Sequence, residues 1–174
     1  MIKNIINDIE LAKNSKAYLS ALALALTLPE ICGKIETATN TKKSSKYYID
    51  WYNKWVYKYY RLPPSKNPLI EKAANDSKLD GKFCYDLRNA VLHCGNTDLH
   101  NNNEKISSFF FTVSDNIASS FSVVCSVSEN GAHDIQIHLN IINLIDTIIS
   151  GVKDFLKENK DTSTIYGNIN IEFI

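Results

Sequence analysis

The stretch LRNAVLHCG, Leu87–Gly95, sets an arginine, an asparagine and a histidine into an otherwise apolar segment that ends at a glycine. Its apolar residues predict a helix of a packed core. Arginine is a permanent cation whose planar fork of N–H donors matches a phosphate, and histidine exchanges a proton near neutral pH. Together these side chains supply what phosphodiester cleavage needs without a metal. Arg88 and His93 are therefore the first catalytic candidates.

Helix geometry restricts how these residues act together. At about 100° per residue, Asn89 and His93 are four apart and share a helix face, whereas Arg88 and His93 are five apart and point roughly 140° from each other. One helix alone does not direct Arg88 and His93 at a common atom. Either the long arginine wraps around the helix, or two copies of the helix face each other across a two-fold axis and build one cleft from both chains.

The motif resembles the R-x4-6-H signature of the HEPN superfamily, a set of helical-bundle domains that include many metal-independent ribonucleases. The polar Asn89 after the arginine fits that pattern. Phe83–Leu87 leads into the helix, and Leu28–Glu36 and Tyr48–Asn53 are similar to segments of a bacterial branch with the same helix order. The resemblance covers about the first half of the chain.

The resemblance implies roles for the motif residues. His93 would act as general acid or base on the ribose 2′-hydroxyl or the leaving oxygen, and Arg88 would bind the scissile phosphate. Asn89 would orient the histidine or donate to the phosphate. The paired motifs would meet at a homodimer interface, with RNA as the partner and neither DNA nor a membrane involved.

Three further residues are predicted to support the motif: Glu36, Asp50 and Tyr85. A purely structural role for the motif residues is the alternative to catalysis. In that case Arg88 pairs with Asp86 or Glu36, and His93 caps the helix by donating to its last carbonyl groups. Asp50 and Glu36 are equally compatible with a solvated helix face.

Length, composition and charge set the outer limits. With 174 residues, of which 44% are hydrophobic, the chain can bury one core, so a single domain over residues 1–174 is expected. Lysine plus arginine number 19 and aspartate plus glutamate also number 19, so the formal net charge is zero. A zero net charge argues against a broad, sequence-blind surface for nucleic acid, but not against a small phosphate site.

The cysteines and the apolar runs predict a reduced, cytoplasmic protein. The four cysteines contain no C-x-x-C pair, and no charged-then-apolar leader is visible at the N-terminus. The apolar run Leu19–Leu28 is too short for a membrane span and is read as a buried core helix. Cys84, His93, Cys94 and His100 lack the paired spacing of a zinc site, so neither a metal nor a cofactor is predicted.

The first half of the chain has helical periodicity. Apolar residues at three- and four-residue steps over Ile2–Ala12 and Leu19–Leu26 predict one long helix, or two joined near Asn14-Ser15. Pro29 can open the next helix, Pro29–Ala38. The aromatic run Tyr47–Tyr60 could stack nucleobases or pack the bundle, and packing is favoured because aromatic rings carry large burial area.

The second half of the chain changes to strand-like alternation. Three alternating runs predict strands: Phe109–Val113, Phe121–Val127 and Ile135–Leu139. Asn130-Gly131 is a strong hairpin-turn signal, so we expect an antiparallel hairpin or meander. A helix from about Asn140 to Asn159 should follow, and Thr164–Ile174 could add an edge strand.

The expected fold is mainly α: a HEPN-like helical bundle over about 1–95 and 140–159, with an appended antiparallel β hairpin or meander over about 105–139. Two function classes follow. One is a metal-independent endoribonuclease, of the kind that serves as a toxin or in phage defence. The other is a non-catalytic module of the same fold that binds nucleotide or RNA, or dimerises.

Overall fold

The chain folds into a mainly helical protein with one small sheet, as its periodicity predicted. The computed structural model describes residues 1–37, 43–60, 66–68, 71, 75, 78–94, 106–114, 121–127 and 133–159. The regular elements there are α1 (Ile2–Asn14), α2 (Tyr18–Ala25), α3 (Leu28–Thr37), α4 (Ser44–Trp55), a 3₁₀ turn (Tyr57–Tyr59), α5 (Gly81–Asn89), a π-helical turn (Ala90–Cys94), β1 (Ile106–Thr112), β2 (Phe121–Val127), β3 (His133–Asn140) and α6 (Ile141–Glu158).

The first periodic region forms two helices. α1 ends at Asn14, and Lys16 adopts a left-handed backbone with φ of 60°, which redirects the chain so that α2 packs on α1. A non-glycine residue in this conformation costs about 1–2 kcal/mol. The packing of the two helices must outweigh that cost. Of the two arrangements that the periodicity left open, the two-helix arrangement is confirmed.

Among the described residues, one helical stretch, Tyr18–Thr37, is long and apolar enough to cross a membrane by length and composition alone. A turn at Leu26-Thr27 divides it into α2 and α3. Leu22, Leu26 and Leu28 are fully buried among the apolar residues of the protein core. The predicted burial of this run is confirmed for these three leucines, whereas Leu19 is exposed and the turn divides the single helix that was predicted.

α3 packs closely on α4 because a glycine lies at the contact. α3 begins at Leu28, one residue before the predicted start, and Pro29 lies in the first turn, where its missing N–H leaves no helical hydrogen bond unmade. A Cβ atom added at Gly33 would overlap the backbone carbonyl oxygen of Tyr47. Glycine is the one residue that allows the two backbones this approach. Ala38, the predicted end of the helix, lies outside the described residues.

α4 places most of the aromatic run inside the protein. Five of its aromatic side chains are buried: Tyr47, Tyr48, Trp51, Tyr52 and Trp55. Trp51 and Trp55 both meet the ring of Phe155 on α6 edge to face, with centroid distances of 5.9 and 5.7 Å. The predicted packing role is confirmed for these five residues. Base stacking is wrong for them, because a buried ring cannot reach a nucleobase.

The sheet is mixed, with β3 between β1 and β2. β1 runs parallel to β3, with Phe109 opposite Ile137, and β2 runs antiparallel to β3, with Val123 opposite Ile137. A wholly antiparallel meander is therefore wrong, and in the described strands no ladder joins the Phe109 and Val123 regions. Period-two alternation indicates which residues face the core, but it does not fix strand order or direction. Asn130-Gly131 and Thr164–Ile174 lie outside the described residues.

The inner face of the sheet belongs to the same core as the helices. Phe109 meets Phe83 of α5 with a centroid distance of 5.7 Å, and Ile137 and Leu139 are fully buried. The buried apolar residues of the helices and of the sheet form one contiguous cluster. The β segment is thus packed on the helices rather than built around a core of its own.

α6 confirms the predicted C-terminal helix. Asn140 caps it, because its side-chain oxygen accepts from the backbone N–H groups of Ile142 at 2.9 Å and Asn143 at 3.2 Å. Its side-chain amide donates to the carbonyl oxygen of Ser114 at 2.7 Å. The predicted apolar stripe is buried throughout: Ile141, Leu144, Ile145, Ile148, Ile149, Val152 and Phe155.

Candidate functional site

The candidate site lies at the end of the motif segment, which we define as α5 and the π turn, Gly81–Cys94. Asp80 caps α5 by accepting from the backbone N–H of Phe83 at 3.0 Å. The segment is α-helical to Asn89 and then widens into the π turn. The regular α-helix predicted through His93 is therefore wrong, and the predicted stop at Gly95 lies outside the described residues. π turns are rare and frequently occur at functional sites.

The π turn changes the angular relation of Arg88 and His93. In an α-helix a five-residue step overshoots one turn, which produces the offset of roughly 140°. A π turn closes its hydrogen bonds over five residues instead of four, so a turn contains more residues and the same step overshoots less. From this geometry we expect the directions of Arg88 and His93 to differ by less than the 140° of a regular α-helix. The His93 side chain is exposed and accessible to a ligand.

Arg88 is mostly buried and is held on two sides. Its Nη2 donates to Oε2 of Glu30 at 3.3 Å, and its Nη1 donates to Oδ1 of Asn89 at 3.1 Å. The guanidinium carbon lies 5.9 Å from the ring centre of Tyr85. Nε is buried and has no hydrogen-bond partner within the part of the chain that the structure describes. The structure therefore brings together three of the predicted site residues: Arg88, Asn89 and Tyr85.

Glu30 of α3 binds two donors besides Arg88. Nζ of Lys34 lies 2.6 Å from Oε1, and the hydroxyl of Ser44 at the start of α4 donates to the same oxygen. Burial opposes ionisation of the carboxyl group, but the hydrogen bonds from Lys34 and Ser44 and the charges of Lys34 and Arg88 outweigh it. The pKa of Glu30 is therefore lowered from its ordinary value of 4.5. The ionised carboxylate ties α3, α4 and α5 together.

Sequence reasoning missed Glu30 as the partner of Arg88. The ion pair of Glu30 with Lys34 could have been predicted, because the two residues are four apart on one helix and this spacing favours an ion pair. Arg88, however, is 58 positions away, and periodicity does not report which helices meet. The contact follows from the packing of both α3 and α5 on α4, which brings Glu30 within reach of Arg88.

The two acidic partners that were predicted for Arg88 are engaged elsewhere. Both carboxylate oxygens of Asp86 accept from Lys82, at 2.7 and 2.5 Å. Glu36 accepts from Nζ of Lys54 at 2.5 Å and from the indole N–H of Trp55 at 3.1 Å. The predicted pairing of Arg88 is therefore corrected: Glu30 provides its carboxylate.

Asp50, the remaining acidic candidate, is exposed on α4. Tyr85 is the predicted supporting residue that lies beside Arg88, since its ring faces the guanidinium. The position of Tyr85, three residues before Arg88 in α5, places both side chains on one helix face.

A buried tyrosine and cysteine support the ring of Tyr85. The Tyr48 ring meets the Tyr85 ring edge to face at 5.5 Å, and the Tyr48 hydroxyl donates to Sγ of Cys84 at 3.4 Å. Burial raises the pKa of the Cys84 thiol to about 12, and burial likewise raises the pKa of the Tyr48 hydroxyl well above its ordinary value. Both groups therefore stay neutral, and they pack beneath the ring of Tyr85.

The four cysteine and histidine residues near the motif do not form a metal site in the part of the chain that the structure describes. Among the described residues, no three His, Cys, Asp or Glu side chains lie together as a metal-binding group. Cys84 is buried and protonated, whereas a thiol binds metal as thiolate. His100 and the side chain of Cys94 lie outside the described residues.

Searches against family models, curated proteins and solved structures gave no match to this chain. The resemblance to the HEPN superfamily therefore stays a prediction that is carried by the motif residues and their spacing.

Proposed function

We propose that this protein is a metal-independent endoribonuclease in which Arg88 binds the scissile phosphate and His93 transfers protons. The observation that carries the proposal is the π turn Ala90–Cys94, which begins two residues after Arg88 and contains His93. A regular helix would separate their directions, and the π turn reduces that separation. Arg88 is also one of only two arginines in the chain, the other being Arg61.

Arg88 retains donors for a phosphate although it is paired. A guanidinium has five N–H donors, of which the hydrogen bonds to Glu30 and Asn89 use one on each Nη nitrogen. At least one N–H on each Nη is left for an oxygen of the substrate. Two parallel N–H donors match two phosphate oxygens, which is the geometry that arginine offers and lysine does not.

The proposed reaction is an internal transesterification of RNA. One His93 accepts the proton of a ribose 2′-hydroxyl while that oxygen attacks the adjacent phosphorus. The bond from phosphorus to the 5′-oxygen breaks, and a second, protonated His93 donates a proton to that oxygen. The products are a 2′,3′-cyclic phosphate and a 5′-hydroxyl. Arg88 stabilises the charge on the non-bridging oxygens.

The reaction scheme uses two histidines, so we propose a homodimer whose motif segments face each other across a two-fold axis. Each protomer then contributes one His93, and the interface is self-complementary. The proposed location is the cytoplasm, where thiols stay reduced, and Cys32 and Cys84 are free thiols. A role as a toxin or in phage defence would suit such an enzyme.

A second candidate function is a non-catalytic module that binds RNA or nucleotide, or that dimerises. The ion pair between Arg88 and Glu30 favours it, because a paired arginine offers less charge to a phosphate. The zero net charge of the chain points the same way, since long-range attraction to RNA scales with basic excess. Cleavage activity decides between the two functions.

The test is incubation of purified protein with single-stranded RNA in the presence of EDTA. We expect cleavage that leaves 2′,3′-cyclic phosphate ends, while DNA of the same sequence stays intact because it lacks the 2′-hydroxyl. His93→Ala should lower the rate by about a hundredfold or more, and Arg88→Ala should have a comparable effect. His138→Ala, in the sheet, is the matched control and should retain the rate.

Two results would count against the mechanism. If EDTA abolishes cleavage while His93→Ala leaves it unchanged, the proposed chemistry is wrong. If the protein is dimeric by light scattering and cuts no RNA, structured or unstructured, the non-catalytic function is the better conclusion.

A further inference from the structure

We propose that Glu30 is a positioning residue that orients the guanidinium of Arg88 for a phosphate. The inference deepens the proposed function, since the phosphate is that of the RNA, but the orientation of Arg88 can be measured without it. Glu30 lies on α3, whereas Arg88 lies at the end of α5. Their hydrogen bond therefore fixes the arginine relative to a helix other than its own.

An unrestrained arginine would make a poor phosphate site. Its long side chain has several rotatable bonds, and ordering it on binding costs free energy and misplaces the donors in most encounters. In this structure one Nη is bound by Glu30, the other by Asn89, and one face of the guanidinium lies toward Tyr85. Contacts at both nitrogens and one face leave a single orientation.

Glu30 is the anchor among these contacts because it is itself fixed. Lys34 and Ser44 both donate to Oε1, so the remaining oxygen, Oε2, is held toward Arg88. Asn89, in contrast, follows Arg88 directly in the chain and moves with it. Loss of Asn89 would remove a hydrogen bond to a residue adjacent in the chain, whereas loss of Glu30 would remove the hydrogen bond that joins Arg88 to another helix.

The ion pair leaves positive charge for a substrate. Two cations, Lys34 and Arg88, share the single carboxylate of Glu30, so the three side chains together carry one net positive charge. A partly neutralised arginine that is held in place binds a phosphate with less reorganisation than a free one. The pairing therefore prepares the site instead of blocking it.

The first measurement is the ¹⁵N NMR signal of the arginine Nε–H groups. The chain has two arginines, so Arg61→Lys and Arg88→Lys assign both signals. We expect Glu30→Ala to shift the Arg88 signal and speed its exchange with water, and Glu30→Gln, which keeps the volume and one acceptor, to do so less. Asp154→Ala is the matched control, because Asp154 accepts from Lys58 and Tyr59 on another face of the protein.

The second measurement is RNA cleavage by the same variants. We expect Glu30→Ala to lower kcat by about tenfold and to change KM less, as for a misplaced transition-state contact. In an Arg88→Ala background Glu30→Ala should have no further effect, since Glu30 acts through Arg88. If Glu30 had a purely structural role, Glu30→Ala would instead lower the activity both in the wild type and in the Arg88→Ala background.

The outcomes separate the inference from the proposed function. If the Arg88 signal is unchanged in both Glu30 variants, or if Glu30→Ala raises the cleavage rate because the carboxylate competes with the phosphate, the inference is overturned. If the wild type cuts no RNA, the proposed function fails, and the NMR result alone decides whether Glu30 holds Arg88. Should Glu30→Ala fail to fold, Glu30→Gln gives both readouts.

Discussion

α4 and the motif segment pack against each other, but they use their residues in different ways. α4 buries five aromatic side chains, and no charged side chain lies among its buried residues. The motif segment begins in the same manner, with Phe83 and Leu87 buried, but it ends with the partly buried polar residues Arg88 and Asn89 and the exposed His93. α4 therefore stabilises the fold, whereas the end of the motif segment carries the polar side chains that we propose contact the substrate.

The largest expected loss of stability is that of Trp51→Ala in α4. The Trp51 side chain is 1% exposed and packs on Phe155, so its removal leaves a large cavity. The free energy of unfolding should fall by about 3–5 kcal/mol, measured by urea denaturation. Leu19→Ala is the control, because Leu19 is 67% exposed and its loss should change stability by less than about 0.5 kcal/mol.

His93→Ala is the opposite case. Because His93 is exposed, its replacement should lower the cleavage rate without changing the free energy of unfolding. If Trp51→Ala costs less than about 1 kcal/mol, or if His93→Ala destabilises the protein as much as Trp51→Ala does, the division of roles between the two helices is wrong.

A smaller effect is expected where α3 contacts α4. A methyl group added by Gly33→Ala would meet the Tyr47 carbonyl, and the two helices would have to separate. The cost should be about 1–3 kcal/mol in the same denaturation experiment. Because α3 carries Glu30 and α4 carries Ser44, the Arg88 Nε–H signal should shift as well. Ser20→Ala, at an exposed helical position, should change neither quantity, and an unchanged stability in Gly33→Ala would contradict the close packing.

The parts of the fold that could be predicted from sequence are those with local causes. α6 was predicted with its stripe and nearly with its bounds, because the apolar period and the Asn140 cap act over neighbouring residues. The direction of β1 was not, because its parallel pairing with β3 joins segments about 30 residues apart and leaves the alternation of side chains unchanged.

In the candidate site, too, only the features with local causes could be predicted from the sequence. Tyr85 and Arg88 are three residues apart, so their contact could be predicted from the helical spacing, whereas the sequence placed Asn89 on the face of His93 and not beside Arg88. The contact of Glu30 could not be predicted, because it depends on how α3 approaches α5. The π turn could not be predicted either, since Ala90–Cys94 has an ordinary helical composition and its geometry follows from its surroundings.

The smallest expected effect concerns pH and tests whether the Glu30 pairing stabilises the folded protein. The pKa of Glu30 is lowered from 4.5 in the fold, through hydrogen bonds from Lys34 and Ser44 and nearby positive charge that together outweigh burial. A lowered pKa means that the stabilisation is fully present above the unfolded value and is lost as pH falls through the folded value. Wild type should therefore exceed Glu30→Gln in unfolding free energy by about 1 kcal/mol near pH 7, as for other modest ion pairs. Urea denaturation of both proteins should show this difference shrinking below pH 4.5. A difference that stays constant or grows on acidification would show that the amide and the carboxylate hold Arg88 equally well, and that charge plays no part in the anchoring.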